Sequence, residues 1–393
     1  MKKRSLKVLV IFMMFVAMFP SSALAKGASV GVNITLKQDV STEILQTLSS
    51  HGKVLNVFEA IDSLVMRVKE SDIQGILNLD FVASVTMDAE RLAAPIDTVS
   101  VSDFSDGLST WNLDVINVTD FGFDNRVVEE DGAGVYVAVL DTGLLDSWRK
   151  YFPQERIAEE FAKSFGGGGG NGVVSEQPNK WEHDVNGHGT HVTSSILGYD
   201  LGGTPVNGVV PMANIIPVKV LNQNGSGWSS VIAQGILYVK ELKEGPLKDY
   251  PVIINMSLGG SVLDDVEKAA IDAAIAAGVI IVASAGNEGE AGMGYPGAYE
   301  PVISVAASGW IGEWLNGSWW NGIDDPEPND SELYYITDFS SRELAGQDLD
   351  VAAPGSWIVG PYQLNRGNRT SYYFLGGTSM ASPHVAGLVA LMA

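Results

Sequence analysis

Five short, continuous apolar runs constrain the fold of this chain more than any other feature of its sequence. They read VYVAVL at 135–140, IIPVKV at 215–220, VIIN at 252–255, VIIVA at 279–283 and VISVA at 302–306. Runs of this length without polar alternation are typical of parallel strands that are covered on both faces. Helical patterns at 190–197, 229–243 and 262–277 lie between them. The alternation predicts a doubly wound α/β domain, a mainly parallel sheet with helices on both faces, whose ligands bind beyond the carboxyl ends of the strands.

The segment before this domain has a different pattern. Strands are expected at 32–36, 54–58, 64–68 and 81–87, with helices at 42–50 and 72–79. The order β-α-β-β-α-β is that of a small ferredoxin-like α+β domain, which we place at 26–94. The polar stretch 90–106, ERLAAPIDTVSVSDFSD, is expected to be exposed. Residues 95–110 would then link the small domain to a large domain at 111–393.

The first 25 residues predict export. Four basic residues among the first seven precede an apolar run at 8–19, and the small-residue motif ALA follows at 23–25. This is the organisation of a secretory signal peptide. The apolar run is shorter than the roughly 20 residues that a membrane-spanning helix needs. We therefore expect cleavage after Ala25 and an extracellular protein without a stable membrane anchor.

The charge and the cysteine content exclude several kinds of partner and site. The chain has 24 basic and 47 acidic residues, a net charge of −23, and no cysteine. A surface of this sign repels nucleic-acid phosphates and anionic membranes, so we expect no nucleic-acid partner. The absence of cysteine excludes disulfides, thiolate nucleophiles and cysteine-ligated zinc.

Three residues with catalytic chemistry lie where such a fold places its sites. Asp141 follows the first apolar run, His188 lies between glycines in NGHGTHV, and Ser379 begins a helical stretch in GGTSMASPHVAG. A serine hydroxyl is a poor nucleophile unless a nearby base takes its proton. His188 can be that base, and Asp141 can orient it and stabilise the imidazolium. Taken singly, Asp141 also suits a turn and Ser379 a helix N-cap.

The histidines allow one other interpretation, a zinc site. His183, His188 and His191 fall close together in the sequence. The arrangement is not H-E-x-x-H, and no glutamate stands between His188 and His191. The pattern therefore favours proton transfer by His188 over zinc binding.

Five segments resemble, in order, the signature segments of the subtilisin-like serine proteases, or subtilases. They are VAVLDTG, NGHGTHV, INMSLGG, ASAGNEG and GTSMASPHVAG. The order Asp–His–Ser differs from that of α/β-hydrolases and of chymotrypsin-like enzymes. The resemblance implies a serine endopeptidase without an organic cofactor, with Asp141, His188 and Ser379 as the triad. It also implies that Asn287 and the backbone amide of Ser379 form the oxyanion hole. A binding protein on a protease scaffold is the alternative, which a substituted triad residue would favour.

The similarity to the catalytic domain of the family runs from about Trp111 to the last residue. A second similarity concerns the small domain. Its segments KVLNVFEAIDSLVMRV and FVASVTMD resemble the inhibitory propeptide of the family. This implies a self-processed precursor, with its own propeptide as an intramolecular inhibitor. Subtilases normally continue past the position of Ala393, so the resemblance also predicts a catalytic domain that is truncated at its C-terminus. We expect a monomer that acts on protein or peptide substrates.

The resemblance further implies a cleft in which two edge segments, 225–227 and 257–260, pair with an extended substrate. Segments 283–286 and 294–297 would complete the pocket for the P1 side chain, the one before the cleaved bond. The implied substrate-binding residues are Gly225, Ser226, Gly227, Ser257, Leu258, Gly259, Gly260, Ala283, Ser284, Ala285, Gly286, Gly294 and Gly297. All are small or apolar and none is charged. We therefore expect broad specificity with a preference for large apolar or aromatic P1 residues, and Leu92 as P1 of the maturation cleavage.

Calcium is expected as a structural ion, because family members often bind it. The loop at 199–209 offers only Asp200 and Asn207 as side-chain oxygen ligands of the kind that calcium prefers. A denser group lies in the acidic insertion at 310–335. Its candidate ligands are Asp324, Asp325, Glu327, Asn329 and Asp330. Their spacing is not that of an EF-hand, and a solvated acidic loop is the alternative.

Overall fold

The computed structural model describes residues 28–101, 111–119, 126–166, 173, 176–313, 330–363 and 371–393. The predicted signal peptide at 1–25 and the candidate calcium ligands at 324–329 lie outside these residues. In the part of the chain that is described, every helix is too short or too polar to cross a bilayer.

The N-terminal region forms the predicted small α+β unit. Its elements are β1 (Ser29–Leu36), α1 (Thr42–Ser49), β2 (Gly52–Phe58), β3 (Ser63–Lys69), α2 (Ile73–Leu77) and β4 (Val82–Met87). The strands are antiparallel in the order β2-β3-β1-β4, as in a ferredoxin-like domain. Ser41 caps α1 by accepting from Ile44 N at 3.3 Å. Ile44 and Leu48, one turn apart, then pack on the sheet with Ile34 and Met66.

The rest of the chain forms the large domain and two strands that precede it. The strands are β5 (Glu90–Leu92), β6 (Asp97–Val101), β7 (Tyr136–Asp141), β8 (Lys163–Ser164), β9 (Gly198–Asp200), β10 (Pro205–Asn207), β11 (Asn214–Lys219), β12 (Ser226–Trp228), β13 (Val252–Met256), β14 (Ile280–Ser284), β15 (Ile303–Trp310), β16 (Tyr334–Ile336), β17 (Val351–Pro354), β18 (Ile358–Pro361) and β19 (Tyr372–Gly376). The helices are α3 (Trp111–Asp114), α4 (His188–Leu197), α5 (Ser229–Glu244), α6 (Asp265–Ala276) and α7 (Thr378–Met392).

The main sheet has the order β16-β15-β14-β13-β7-β11-β8, with β17 also beside β15. The pairs from β15 through β14, β13 and β7 to β11 and β8 are parallel, and β16 is antiparallel to β15. After β7 the chain adds β11 on one side, then crosses over and adds β13, β14 and β15 on the other. The carboxyl end of β7 therefore lies where the strand order reverses, which is where ligands bind in open α/β sheets. The doubly wound fold and all five predicted strands are confirmed.

Alternate residues of the strands face the two sides of the sheet, and each side has its own core. Val137 and Val139 of β7 belong to a cluster with residues of α4 and α7. Ala138 and Leu140 belong to the opposite cluster, with residues of α5 and α6. Burial on both faces is why these strands are continuous apolar runs in the sequence.

The small domain packs on α5 and α6, and a polar cluster joins them. Asn33 Nδ2 donates to Asp264 Oδ2 at 2.9 Å and to Ser229 Oγ at 3.2 Å. Asp88 Oδ1 accepts from Ser230 N at 3.1 Å in the first turn of α5, while Asp264 Oδ1 accepts from backbone amides of α6. Each helix therefore has a carboxylate at its positive N-terminal end, which stabilises the helix.

Residues 90–101 are not the exposed linker that we expected. β5 pairs antiparallel with β12, and β6 pairs antiparallel with β19. Arg91 and Ala93 are buried. The sequence pattern did not reveal this pairing, because the partner strands lie far away in the chain and a strand of three residues is too short to show a period. Residues 102–110 lie outside the described part, and the domain boundaries stay a prediction.

Candidate active site

Asp141 and His188 meet at the carboxyl end of β7. Asp141 is its last residue, His188 is the first residue of α4, and both side chains are buried. His188 Nδ1 lies 2.9 Å from each carboxylate oxygen of Asp141. A carboxylate can only accept, so Nδ1 carries a proton, and in the neutral imidazole Nε2 then has the lone pair. His188 Nε2 has no hydrogen-bond partner among the described residues, and it is therefore available as a base.

Two glycines allow this close approach. A Cβ atom on Gly189 would collide with Gly143 O and lie 3.2 Å from Asp141 Oδ1. Gly143 has a φ of 91°, in the left-handed region that glycine tolerates best. The glycines of DTG and HGT thus let the start of α4 lie directly against the end of β7.

A second buried layer supports the pair, and the sequence analysis missed it. Thr142 Oγ1 donates to Asp184 Oδ2 at 2.7 Å and accepts from Gly189 N at 3.0 Å. Lys219 Nζ donates to Thr142 O and lies 3.8 Å from Asp184 Oδ1. Burial raises the pKa of Asp184 and lowers the pKa of Lys219, and the attraction between them opposes both shifts. The one lysine in the apolar run IIPVKV is the sequence feature that could have indicated this buried layer.

Ser379 is the second residue of α7, which packs against α4. Its Oγ donates to Ser257 O at 3.2 Å, and Ser257 Oγ donates to Ser379 O at 2.8 Å. Ser382 Oγ donates to Asn255 Oδ1 at 2.8 Å, so β13 holds the first turn of α7 in place. The described residues show no hydrogen bond between Ser379 Oγ and His188 Nε2. That contact stays a prediction; catalytic hydrogen bonds are often long or poorly aligned until the Michaelis complex forms.

Asn287 and the Ser379 amide border one small space. Asn287 Oδ1 accepts from Thr378 N at 2.9 Å and from Thr378 Oγ1 at 3.0 Å, which fixes the amide and leaves Nδ2 as its free donor side. A Cβ atom on Gly377 would lie 3.7 Å from both Asn287 Nδ2 and Ser379 N. Glycine at 377 therefore leaves open a position that both nitrogens adjoin, as an oxyanion hole requires.

The predicted edge segments pair with an extended segment of the chain itself. Leu92 and Gly259 exchange two backbone hydrogen bonds of 2.9 Å, and Ala93 N donates to Gly225 O at 2.8 Å. β12 directly follows Gly225 in the chain, and β5 pairs antiparallel with it. Further on, Ile96 N donates to Gly376 O at 2.7 Å and β6 follows β19. The segment thus runs between the two edges and leaves beside the start of α7.

The predicted walls of the P1 pocket are joined to one another. Gly260 N donates to Tyr295 O at 2.9 Å and Gly294 N donates to Ala285 O at 2.8 Å, while Ser284 Oγ donates to Leu258 O at 3.3 Å. A Cβ atom on Gly297 would collide with Ser284 O. These contacts hold segments 257–260, 283–286 and 294–297 together.

Two details of this pocket differ from expectation. The side chain of Leu92 is 56% exposed, so the placement of Leu92 in the P1 pocket is wrong. Leu92 faces solvent because its backbone pairs with Gly259, which turns its neighbours Arg91 and Ala93 inward. The lining also has a charged neighbour: Glu288 Oε2 lies against Gly286 and accepts from Ser341 Oγ at 3.0 Å.

The three neighbouring histidines have separate partners. His183 Nδ1 lies 2.7 Å from Asp146 Oδ1, and His191 Nε2 donates to Ile358 O at 3.1 Å, whereas His188 pairs with Asp141. Within the described ranges no group of three or more His, Asp or Glu side chains could hold a metal ion. Of the candidate calcium ligands in the insertion only Asp330 is described, and its Oδ1 accepts from Glu332 N at 3.0 Å. Calcium binding stays a prediction.

Comparisons with known proteins find relatives of this chain in both sequence and fold. The sequence model of the subtilase family matches residues 132–393. The chain is 36% identical over 265 residues to subtilisin DY of Bacillus licheniformis, covering 66% of this chain and 77% of that protein. It is 35% identical over 282 residues to a thermostable alkaline protease of Halalkalibacterium halodurans, covering 72% of this chain and 62% of that protein. The solved structure of sphericase superposes with a TM-score of 0.54 at 29% identity, covering 74% of this chain and 85% of that one.

Proposed function

Since the chain belongs to the subtilase family, we propose that it is a secreted serine endopeptidase, made as a pre-pro-enzyme that matures itself. The observation that carries the proposal is the buried pair of Asp141 and His188, with Nδ1 2.9 Å from the carboxylate and Nε2 without a partner. The sequence of the first 25 residues supports secretion.

In the proposed reaction, Ser379 Oγ attacks the carbonyl carbon of a peptide bond and transfers its proton to His188 Nε2. Asp141 stabilises the imidazolium that forms. The carbonyl oxygen becomes an anion, which Asn287 Nδ2 and Ser379 N stabilise by donating hydrogen bonds to it. His188 then gives the proton to the leaving amine. Water, activated by His188 in turn, hydrolyses the acyl-enzyme.

Ser379 Oγ has to leave Ser257 O before it can donate to His188. The present bond is 3.2 Å, longer than the 2.5–3.0 Å that is typical of O–H···O hydrogen bonds, so its loss costs little. A change of the Ser379 rotamer when substrate binds would release the hydroxyl, and the backbone of α7 would stay fixed by its contacts with β13.

The segment 28–101 acts in this proposal as an intramolecular inhibitor. β5 occupies both backbone edges with which an extended substrate would pair, because it pairs with β12 on one side and Leu92 pairs with Gly259 on the other. Ala93 N is bound to Gly225 O and Ile96 N to Gly376 O, so the peptide bonds between them pass the start of α7. We place the maturation cleavage between Ala93 and Ile96. The small, joined walls of the P1 pocket support a preference for large apolar P1 residues in other substrates.

The full chain and its Ser379→Ala variant test the proposal. After removal of the propeptide, we expect the wild type to hydrolyse casein and to be labelled by a fluorophosphonate at Ser379, because only an activated serine reacts. The variant should show neither, with an unchanged circular dichroism spectrum. A folded wild-type protein that is not labelled and does not hydrolyse casein would contradict the proposal, as would labelling at another serine.

A further inference from the structure

Arg91 is fully buried in the large domain although it belongs to the segment before it. Its side chain and that of Glu267 are both 0% exposed. Arg91 Nε donates to the two carboxylate oxygens of Glu267 at 3.2 and 3.1 Å, and Nη2 also pairs with Glu267 Oε2. Nη2 donates in addition to Val262 O at 3.0 Å, and Nη1 to Glu90 O at 3.1 Å. The guanidinium thus enters a site that provides a carboxylate and a carbonyl at fixed positions.

This site is shaped for an arginine side chain. Glu267 lies in the first turn of α6, where Asp264 caps the helix, so the backbone that carries the carboxylate is fixed. A Cβ atom on Gly260 would lie 2.8 Å from Arg91 Nη1 and would collide with Glu90 O. Glycine at 260 therefore makes room for both the guanidinium and the backbone of the bound segment. We call Glu267, Val262 and Gly260 the arginine site.

The charge balance of the arginine site depends on its occupant. In the precursor, Asp88 of the propeptide and Asp264 of the large domain are buried nearby, and their charges add to the effect of burial, which raises the pKa of Glu267. Arg91 opposes that shift and is the one cation paired with Glu267 among the described residues. An apolar side chain in the same place would leave the Glu267 carboxylate without a partner, and an unpaired buried charge is strongly destabilising.

Arg91 reaches the arginine site as part of a strand bound as a substrate would be bound. It precedes Leu92, whose backbone exchanges both hydrogen bonds with Gly259, and it lies opposite Gly227 in the pairing of β5 with β12. Backbone pairing of this kind does not depend on the sequence of the bound strand, whereas the pockets for alternate side chains select it. Any extended peptide in this register presents a side chain to Glu267.

We propose that the arginine site is a substrate subsite, by which the mature enzyme selects arginine at the residue before the one that pairs with Gly259. The inference rests on the proposed peptidase function and adds a specificity to it. A substrate arginine replaces Arg91 once the propeptide has left. Lysine binds less well, because it is a point charge and lacks the fork that contacts both carboxylate oxygens.

Cleavage of matched peptides by the mature enzyme tests this. The internally quenched peptides copy residues 88–98 with alanine in place of Pro95, and differ only in Arg, Lys, Leu or Glu at the position of Arg91. We expect kcat/KM for the arginine peptide to exceed that for the leucine peptide at least about 30-fold, about 2 kcal/mol at 1.4 kcal/mol per tenfold. Mass spectrometry of the products checks that all peptides are cut at the same bond.

Two variants assign the preference to Glu267. Glu267→Gln should reduce the ratio of kcat/KM for the arginine peptide to kcat/KM for the leucine peptide to below about fivefold, because the neutral amide cannot form an ion pair with the guanidinium. Glu267→Leu, made together with Arg91→Leu so that the precursor has no unpaired arginine, should favour the leucine peptide. Glu300→Gln, at an exposed acid, is the control for net charge and should keep the wild-type ratio. Fluorophosphonate titration gives the active fraction of each preparation.

The outcomes separate this inference from the proposed function. An enzyme that cleaves the arginine and leucine peptides equally well would overturn the inference and leave the peptidase function intact, since Arg91 would then only anchor the propeptide. An arginine preference that persists in Glu267→Leu would also overturn it. A protein that takes up fluorophosphonate in no preparation and cleaves none of the peptides would overturn the proposed function itself.

Discussion

Two buried neutral histidines should make the catalytic domain sensitive to acid, and His384 allows a quantitative test. His384 lies in α7 with no exposed surface. Its Nδ1 donates to Met380 O at 2.8 Å, and its Nε2 lies 2.8 Å from Asn112 Nδ2. A carbonyl only accepts and an amide NH₂ only donates, so the ring is held as the neutral Nδ1–H tautomer. A proton on Nε2 would face the Asn112 donor in a site without water access.

Burial lowers the pKa of His384 from 6.5 to about 4. An unfolded chain takes up the proton near pH 6.5, whereas the folded chain does so only near pH 4, so the unfolded state binds more protons between these values. The free energy of unfolding therefore falls as the pH falls through this window, by about 1.4 kcal/mol per pH unit and by about 3 kcal/mol in all. His191, whose pKa burial lowers to about 3, acts in the same direction.

His384→Asn removes the titrating group and keeps an amide donor near Met380 O. We expect this variant to be less stable than its parent at pH 7, because it leaves a cavity and loses the contact with Asn112. Its free energy of unfolding should fall less steeply between pH 6.5 and pH 4, by about 1.4 kcal/mol per pH unit. Urea unfolding at pH 7, 6, 5 and 4.5, in a Ser379→Ala background that prevents self-digestion, measures this.

Asn112→Ala is the matched control, since it removes the same hydrogen bond and keeps the imidazole. This variant should be less stable than its parent at pH 7, and its free energy of unfolding should depend on pH as steeply as that of the parent protein. Buried acids such as Asp184, whose pKa is raised, contribute in the opposite sense below neutral pH, but they are common to all three proteins and cancel in the differences. Parallel pH curves for the parent and His384→Asn would refute the assignment of acid sensitivity to His384.

Three shorter predictions concern the site. Asn287→Ala should lower kcat about 10²–10³-fold with little change in KM, because the lost donor acts on the oxyanion rather than on bound substrate; steady-state kinetics on a chromogenic peptide would show this, and an unchanged kcat would remove Asn287 from the oxyanion hole. Edman sequencing of the mature wild type should begin at Ala94, Pro95 or Ile96, with the Ser379→Ala precursor left intact; a start at Ala93 would restore Leu92 as P1. Gly189→Ala should lower the free energy of unfolding by more than the roughly 1 kcal/mol typical of point mutations, because the added Cβ would collide with Gly143 O. Thermal unfolding of the Ser379→Ala protein, compared with that of the protein carrying both substitutions, measures this difference.

The sequence predicts best what is determined by burial on a regular period. The run VYVAVL places Val137, Val139 and their alternates in two cores at once, as a central strand does, and Asp141 at its end could therefore be assigned to the site. The glycines that flank His188 indicated that its backbone packs closely against another element. The buried layer formed by Asp184 and Lys219 could not be predicted, because a buried ion pair produces no periodic pattern and its two members are 35 residues apart along the chain.

The orientation of Ser379 lies beyond any sequence pattern. Its position in the first turn of α7 is fixed by backbone and by Ser382, but whether its hydroxyl donates to Ser257 O or to His188 depends on one side-chain torsion. Staggered rotamers of serine differ little in intrinsic energy, so neighbouring acceptors decide among them. Sequence motifs specify which residues meet at a site, and they do not specify which of two nearby acceptors a rotatable hydroxyl uses before substrate arrives.

The error over Leu92 has a more general cause, the two-residue period of an extended strand. The composition of ERLAAP suggests that its largest apolar residue enters a pocket, and that interpretation ignores register. Leu92 pairs with Gly259, so Arg91 and Ala93 point inward and Leu92 outward. A shift by one residue would exchange them and place Leu92 against the Glu267 carboxylate, with the guanidinium of Arg91 in solvent. The ion pair between Arg91 and Glu267 therefore acts against the shifted register, and it fixes which peptide bonds lie beside Ser379.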